Sequence, residues 1–219
     1  MSISMSERLS LWRGKVEFQG GILGVICAVV TLLMLVGESV TSPTIAQRQA
    51  EDRLANLNQV IPKSLYDNNP LHDAFSVVDK QFSAEPVEVY PAKSHGVLRA
   101  VAFQVTTIGY GGPILLIMGV DRAGNILGVR VLNHKETPGL ADKIEIGKSN
   151  WITHFDGASL DNTTKAQWHV KKDGGKFDQF TGATITPRAM VRGIHSGLEF
   201  YARQAATIAA RASHGGQPS

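Results

Sequence analysis

Cysteine is nearly missing from this sequence: Cys27 stands alone among 219 residues. One thiol cannot close an internal disulfide or build a multi-cysteine metal site. A chain of this length has room for one domain with a core of its own, so no covalent staple is needed. Blocks of one charge sign are missing too. With 22 Lys and Arg against 19 Asp and Glu, the formal charge is only +3, and without clustering along the sequence it makes no case for nucleic acid as a partner. Repeats and low-complexity tracts are absent, and 43% hydrophobic against 19% charged residues is a folded composition. Nothing resembles a nucleophile triad or a metal-ligand cluster. Of the seven histidines, only His134 stands beside a suggestive motif.

One long stretch lacks charge altogether. Residues 18 to 37, "FQGGILGVICAVVTLLMLVG", would span about 30 Å as a helix, the hydrocarbon thickness of a bilayer. No polar face interrupts Ile22 to Val36, which argues against a buried soluble helix. The run exceeds a usual signal-peptide core and no small-x-small cleavage site follows, which favours an uncleaved span over a secreted product. Arg8, Arg13 and Lys15 precede it, and Arg48 and Arg53 follow. The bias is small but places the N-terminus in the cytoplasm and the domain on the other side. The expected organisation is a cytoplasmic N-terminus at 1–17 and a transmembrane helix at 18–41. A helix and connector fill 42–85, the main domain 86–211, and a disordered tail 212–219.

Pro43 is expected to interrupt the helical run. Beyond it, Ile45, Leu54, Leu57 and Val60 among charges suggest an amphipathic helix over 44–60 that Pro62 ends. "YDNNPLHD", 66 to 73, reads as a loop. Runs at Val87–Tyr90, Val97–Ile108 and Ile114–Val120 are rich in β-branched and aromatic residues, and "DRAGN", 121 to 125, reads as a hairpin before "ILGVRVL". Strands so close in sequence favour antiparallel pairing. Val191, Ile194, Leu198, Tyr201, Ala205 and Ile208 then form one apolar stripe on a helix over 187–211. The fold class is α+β: a single N-terminal transmembrane helix, then a domain with an antiparallel sheet and flanking helices.

The stretch "DQFTGATITPRAM", 178 to 190, crowds hydroxyls and small residues before that helix. Thr186 fits an N-cap and Pro187 the first helical position, which leaves Thr184 just ahead of free backbone N–H groups and a positive dipole end. Gly182 and Ala183 would let a bulky ligand come close to the backbone. On physics alone this is either a capped turn or a phosphate site. Likewise "HKETPGL", 134 to 140, is either a polar turn or a binding loop, and the glycines of "GYGGP", 109 to 113, fit a tight turn.

Asp178, Thr181, Gly182, Ala183 and Thr184 resemble the flavinylation motif Asp-x-x-(Ser/Thr)-Gly-Ala-Thr of FMN-binding domains. Glu136, Thr137, Gly139 and Leu140 resemble the Glu-Thr-x-Gly-Leu segment of the same family; Ala141 stands where a second glycine often follows. With one N-terminal span, the chain resembles the G subunit of the Rnf-type (Rsx) electron transport complex. The C subunit of the sodium-pumping NADH:quinone reductase is a close relative with the same motifs. The resemblance implies FMN joined by a phosphoester to Thr184. It implies contacts to the cofactor from Thr181, Gly182, Ala183, Thr186, Glu136, Thr137, Gly139 and Leu140. Asp178 and Thr181 match positions read by the flavin transferase that installs the cofactor. The implied role is an electron carrier inside an ion-translocating complex of the bacterial inner membrane, with other subunits and lipid as partners, rather than a stand-alone catalyst. No catalytic side chain and no metal ligand are implied. The competing readings are the C subunit of the sodium pump and a membrane-anchored binding domain without redox activity.

Overall fold

A computed structural model describes residues 16–213; the N-terminal fifteen residues and most of the tail read from the sequence lie outside them. The chain divides into two units, Met1–Glu51 and Asp52–Ser219. Helix α1 (Val16–Val60) begins in the first, where it carries the window Gln19–Val36, with mean hydropathy 2.3 and none of it buried by protein. A helix apolar on all sides over this length is long enough to cross a bilayer.

The helix does not stop at Pro43. It runs on as one 45-residue element to Val60, contrary to the expected interruption. A proline inside a helix removes one N–H bond and crowds the carbonyl four residues back, a cost of about 3 kcal/mol that kinks a helix without having to end it. The end before Pro62 falls as expected. Leu57 and Val60 are buried, whereas the side chain of Ile45 lies outside the described ones.

The second unit is a meander. Strands β1 (Phe75–Val77), β2 (Val87–Ser94), β3 (Val97–Ile108), β4 (Pro113–Asp121) and β5 (Ile126–Asn133) pair in chain order, each antiparallel to the next. β1 lies in the stretch expected to be a connector; three residues are too short for a periodic signal. The hairpin at 121–125 is tied by Asp121, whose Oδ1 accepts the N–H groups of Ala123 and Asn125.

Alternation along the strands gives the sheet two buried faces. On one, Phe103, Val105, Leu116 and Met118 meet helix α2 (Ile185–Ser213) through Met190, Ile194 and Leu198. The helix takes in Ala212 and Ser213, which the sequence assigns to the tail. On the other face, Ala100, Ala102 and Ile117 meet Leu57, Val60 and Ile61. Small residues fill that face because the backbone comes close. A Cβ on Gly119 would lie 2.3 Å from the Val60 carbonyl oxygen, and one on its strand partner Gly128 would lie 3.1 Å from Val60 Cα. Gly119→Ala is therefore expected to destabilise the domain by about 3 kcal/mol, the upper range for overpacking. A thermal melt showing no loss for this variant would refute the contact.

The long connection between β5 and α2 has no strand of its own. It is held by rings: Phe155 stacks on Phe177 at 4.4 Å, and Trp151 sits edge-on to Phe180 at 5.1 Å. Ahead of β2, buried Asp79 accepts from Arg203 Nε at 3.0 Å and from the Gln81 N–H at 3.0 Å. Burial pushes its carboxyl up, but Arg203, the Gln81 N–H and Gln204 together outweigh that and hold it below the usual range. A carboxylate depressed in the folded state contributes stability above its unfolded value, about 3.9, which is lost as pH falls through the folded one. The melting temperature is expected to hold from pH 7 to about 5 and to fall below about 4. Asp79→Asn is expected to melt lower at pH 7 and to show a shallower acid limb. An unchanged limb in that variant would count against Asp79.

Candidate functional site

Three segments converge at one end of the sheet: the β3–β4 turn, the loop after β5, and the chain entering α2. Glu136 joins all three. It is buried, its Oε1 accepts the Gly111 N–H at 2.9 Å, and its Oε2 accepts the Thr186 hydroxyl in a short bond. The glycines of the β3–β4 turn owe their place to this loop. A Cβ on Gly109 would stand 2.3 Å from Glu136 Oε1, and one on Gly111 would stand 2.0 Å from the Lys135 carbonyl oxygen. His134 braces the loop from the other side. Its Nδ1 accepts the Glu136 N–H at 3.0 Å, so the ring proton sits on Nε2 and is donated to Glu145 at 2.8 Å. Asp142 closes the same turn: the Gly139 N–H first, then Lys148, hold its carboxyl below the usual range against the push of burial.

These segments enclose a cleft of about 330 Å³, within the range of small-molecule sites. Tyr110 lines it from the turn, Thr137, Leu140 and Ala141 from the loop, and Gly182 to Thr186 from the helix entry. Of the residues the sequence singles out, Thr137, Leu140, Gly182, Ala183, Thr184 and Thr186 meet here. Glu136 is buried and does not line the cleft, and exposed Gly139 turns the chain between Thr137 and Leu140 with φ +77°. Thr181 and Asp178 are exposed and do not line it; the Asp178 carboxylate pairs with Lys171 at 2.7 Å. Tyr110 is a lining residue that the sequence does not single out, because a lone exposed tyrosine in a glycine turn carries no periodic signal.

The helix entry differs from its expected form. α2 begins at Ile185, and the Arg188 N–H is bonded to the Thr184 carbonyl at 3.3 Å, so Thr184 is the cap residue and Pro187 the third helical one. Thr186 is no cap; its hydroxyl is spent on Glu136. A cap hydroxyl normally accepts from the second or third helical N–H, and Pro187 has none to give. Among the described residues Thr184 Oγ1 has no hydrogen-bond partner. Gly182 serves the backbone rather than clearance: its φ is +82°, and a Cβ there would meet only Leu140 Cδ2, at 3.8 Å.

The cleft thus offers a hydroxyl without a partner among the described residues, the start of a helix at Ile185, and an apolar mouth. Tyr110, Leu140 and Ile185 are 71%, 47% and 50% exposed, an unusual gathering of bare apolar surface. No carboxylate, imidazole or amine lines it. The arrangement suits a flat apolar ligand with a phosphate tail.

Residues 109–199 match the FMN-binding domain family, and residues 18–60 match the RnfG N-terminal region. The chain is 56% identical over 193 residues to the G subunit of the ion-translocating oxidoreductase complex from Stutzerimonas stutzeri, covering 88% of this chain and 84% of that one. It is 47% identical over 199 residues to the corresponding G subunit from Cereibacter sphaeroides, covering 91% and 90%. Among solved structures, it is similar to the C subunit of the Na+-translocating NADH-quinone reductase from Parabacteroides distasonis. The TM-score is 0.50 at 19% identity, over 72% of this chain and 92% of that one. At that identity the likeness extends to the fold.

Proposed function

The chain belongs to the family of G subunits of ion-translocating oxidoreductase complexes, and we propose that it carries FMN as a phosphoester on Thr184. It is a single-pass membrane flavoprotein of an ion-translocating electron transport complex. Identity of 56% to a G subunit sets aside the sodium-pump reading, and the pump's C subunit remains a relative in fold. The match to FMN-binding domains sets aside a binding domain without redox activity.

The observation that carries the ester assignment is the unbonded Thr184 hydroxyl at the cap of α2. Of the three hydroxyls in its segment, Thr186 is buried and held by Glu136, and Thr181 stands outside the cleft. Ile185 and Thr186 would hold a phosphate through their N–H groups. Tyr110, Thr137 and Leu140 would hold the ring. When bound, FMN supplies electron transfer at that ring, and the residues around it set its surroundings. Asp178 and Thr181, exposed beside the attachment point, are available to a flavin transferase. The tether serves retention. With the N-terminus in the cytoplasm and the flavin domain on the periplasmic side of the inner membrane, a free cofactor would be diluted away, whereas a linked one keeps a high local concentration.

Trypsin is expected to release Phe177–Arg188, which contains Thr181, Thr184 and Thr186. In protein made beside a flavin transferase, tandem mass spectrometry should find one FMN phosphoryl unit there, on Thr184. An unmodified peptide, or a label on either other threonine, would overturn the assignment.

A further inference from the structure

Basic residues concentrate in the stretch that leads into α2 and carries one wall of the cleft. From 165 to 192 six Lys and Arg face two Asp, a net +4 where the whole chain carries +3. Two of the cations are used internally: Lys171 pairs with Asp178 at 2.7 Å, and Arg188 with Asp173 at 2.6 Å. Lys165, Lys172, Lys176 and Arg192 are exposed, and among the described residues none has an ion-pair partner. Val170 bridges Phe177, which folds the lysine segment back on itself. Asp173 lies in the field of Arg188, His169 and Lys172, and His195 in that of Lys165 and His169.

On the same stretch lies a notch of about 170 Å³, floored by Trp168, Val170 and Val191 and edged by Arg192, His169 and the Arg188–Asp173 pair. Ile185 lines both the notch and the main cleft. An apolar socket edged by Arg192, in a stretch of net charge +4, thus adjoins the apolar mouth of the cofactor site. The geometry points to a docking surface for an acidic redox protein. Its carboxylates would face Lys172, Lys176 and Arg192, and an apolar side chain would enter the notch. This rests on the flavoprotein reading, since a redox partner must come to the flavin cleft. Redox encounters are small and transient, and complementary charge raises their rate more than their affinity. The socket favours a protein over a lipid headgroup, for which charge alone suffices.

The test uses the full-length chain with Lys172→Glu, Lys176→Glu and Arg192→Glu together, assembled in its complex in native membranes. Bleaching of the flavin after electrons are supplied is expected to slow by about tenfold or more at low salt. The variant and the parent should converge to within about twofold near 0.5 M salt, where charges are screened beyond about 4 Å. Arg99→Glu with Arg122→Glu, at the opposite end of the sheet, should change the rate by less than about twofold. Poly-L-glutamate supplies a readout without flavin. Full-length Thr184→Val protein in neutral detergent should bind it in a salt-sensitive way, and adding the triple reversal should weaken that binding about tenfold. Equal rates at every salt, or unchanged polyglutamate binding, would overturn the proposal. So would a parallel loss of covalent labelling, which would assign the surface to the flavin transferase, or salt-sensitive binding to phosphatidylglycerol vesicles in place of polyglutamate. An unlabelled Thr184 peptide with polyglutamate binding intact would instead sink the covalent-flavin reading alone.

Discussion

Thr184→Val is expected to give a membrane-inserted, folded protein with no covalent flavin: in-gel fluorescence falls to background while the amount in the membrane is unchanged. The substitution keeps the shape of the side chain and removes one oxygen. Loss of a cap hydroxyl ordinarily costs about 1 kcal/mol, but Thr184 Oγ1 makes no capping bond, so the stability change should stay within about 0.5 kcal/mol. The effect on attachment should be all or none. No second hydroxyl can stand in: Thr186 is buried against Glu136, and Thr181 does not line the cleft. Persistent covalent fluorescence in the variant would place the ester elsewhere.

The second large effect concerns a residue that does not line the cleft. Glu136→Ala leaves the buried Thr186 hydroxyl and the N–H of exposed Gly111 without their acceptor. The orphaned buried hydroxyl costs about 1–3 kcal/mol and the lost turn bond about 1 kcal/mol, so a loss of about 2–4 kcal/mol is expected. At about 2–4 °C per kcal/mol for a domain of this size, the melting temperature should drop by roughly 4–16 °C. Glu136→Gln should lose far less. Its amide oxygen still accepts from Gly111, and the Thr186 hydroxyl can rotate to accept from the amide nitrogen. Because the two bonds share one side chain, Thr186→Val should add little on top of Glu136→Ala. A Glu136→Ala protein that melts with the parent would show that the carboxylate does not hold the three segments together.

Much of the architecture was legible because it rests on local pattern. The apolar span, β3 to the residue, β4 and β5 within one, and the stripe of α2 all follow from period and length. β1 escaped because a three-residue strand has no period, and α1 continued past Pro43 because a single lost bond does not have to end a helix. The threonine of attachment was legible only through a resemblance, since hydroxyls before a helix are consistent with an ordinary cap. The cap itself was placed two residues late. Sequence preference allowed Thr186, but Glu136, fifty residues away, claims that hydroxyl.

The sequence by itself determined a membrane anchor, an antiparallel sheet with flanking helices, and a segment suited to a phosphate. These depend on neighbours in the chain: apolar length, alternation and the small residues ahead of a helix. Only the tertiary structure decided which hydroxyl has no partner among the described residues, why Gly109 and Gly111 must lack a side chain, and that Ile185 lines both the cleft and the notch beside it. Those depend on groups far apart in sequence competing for the same hydrogen bonds and the same space, and only the folded chain settles that competition.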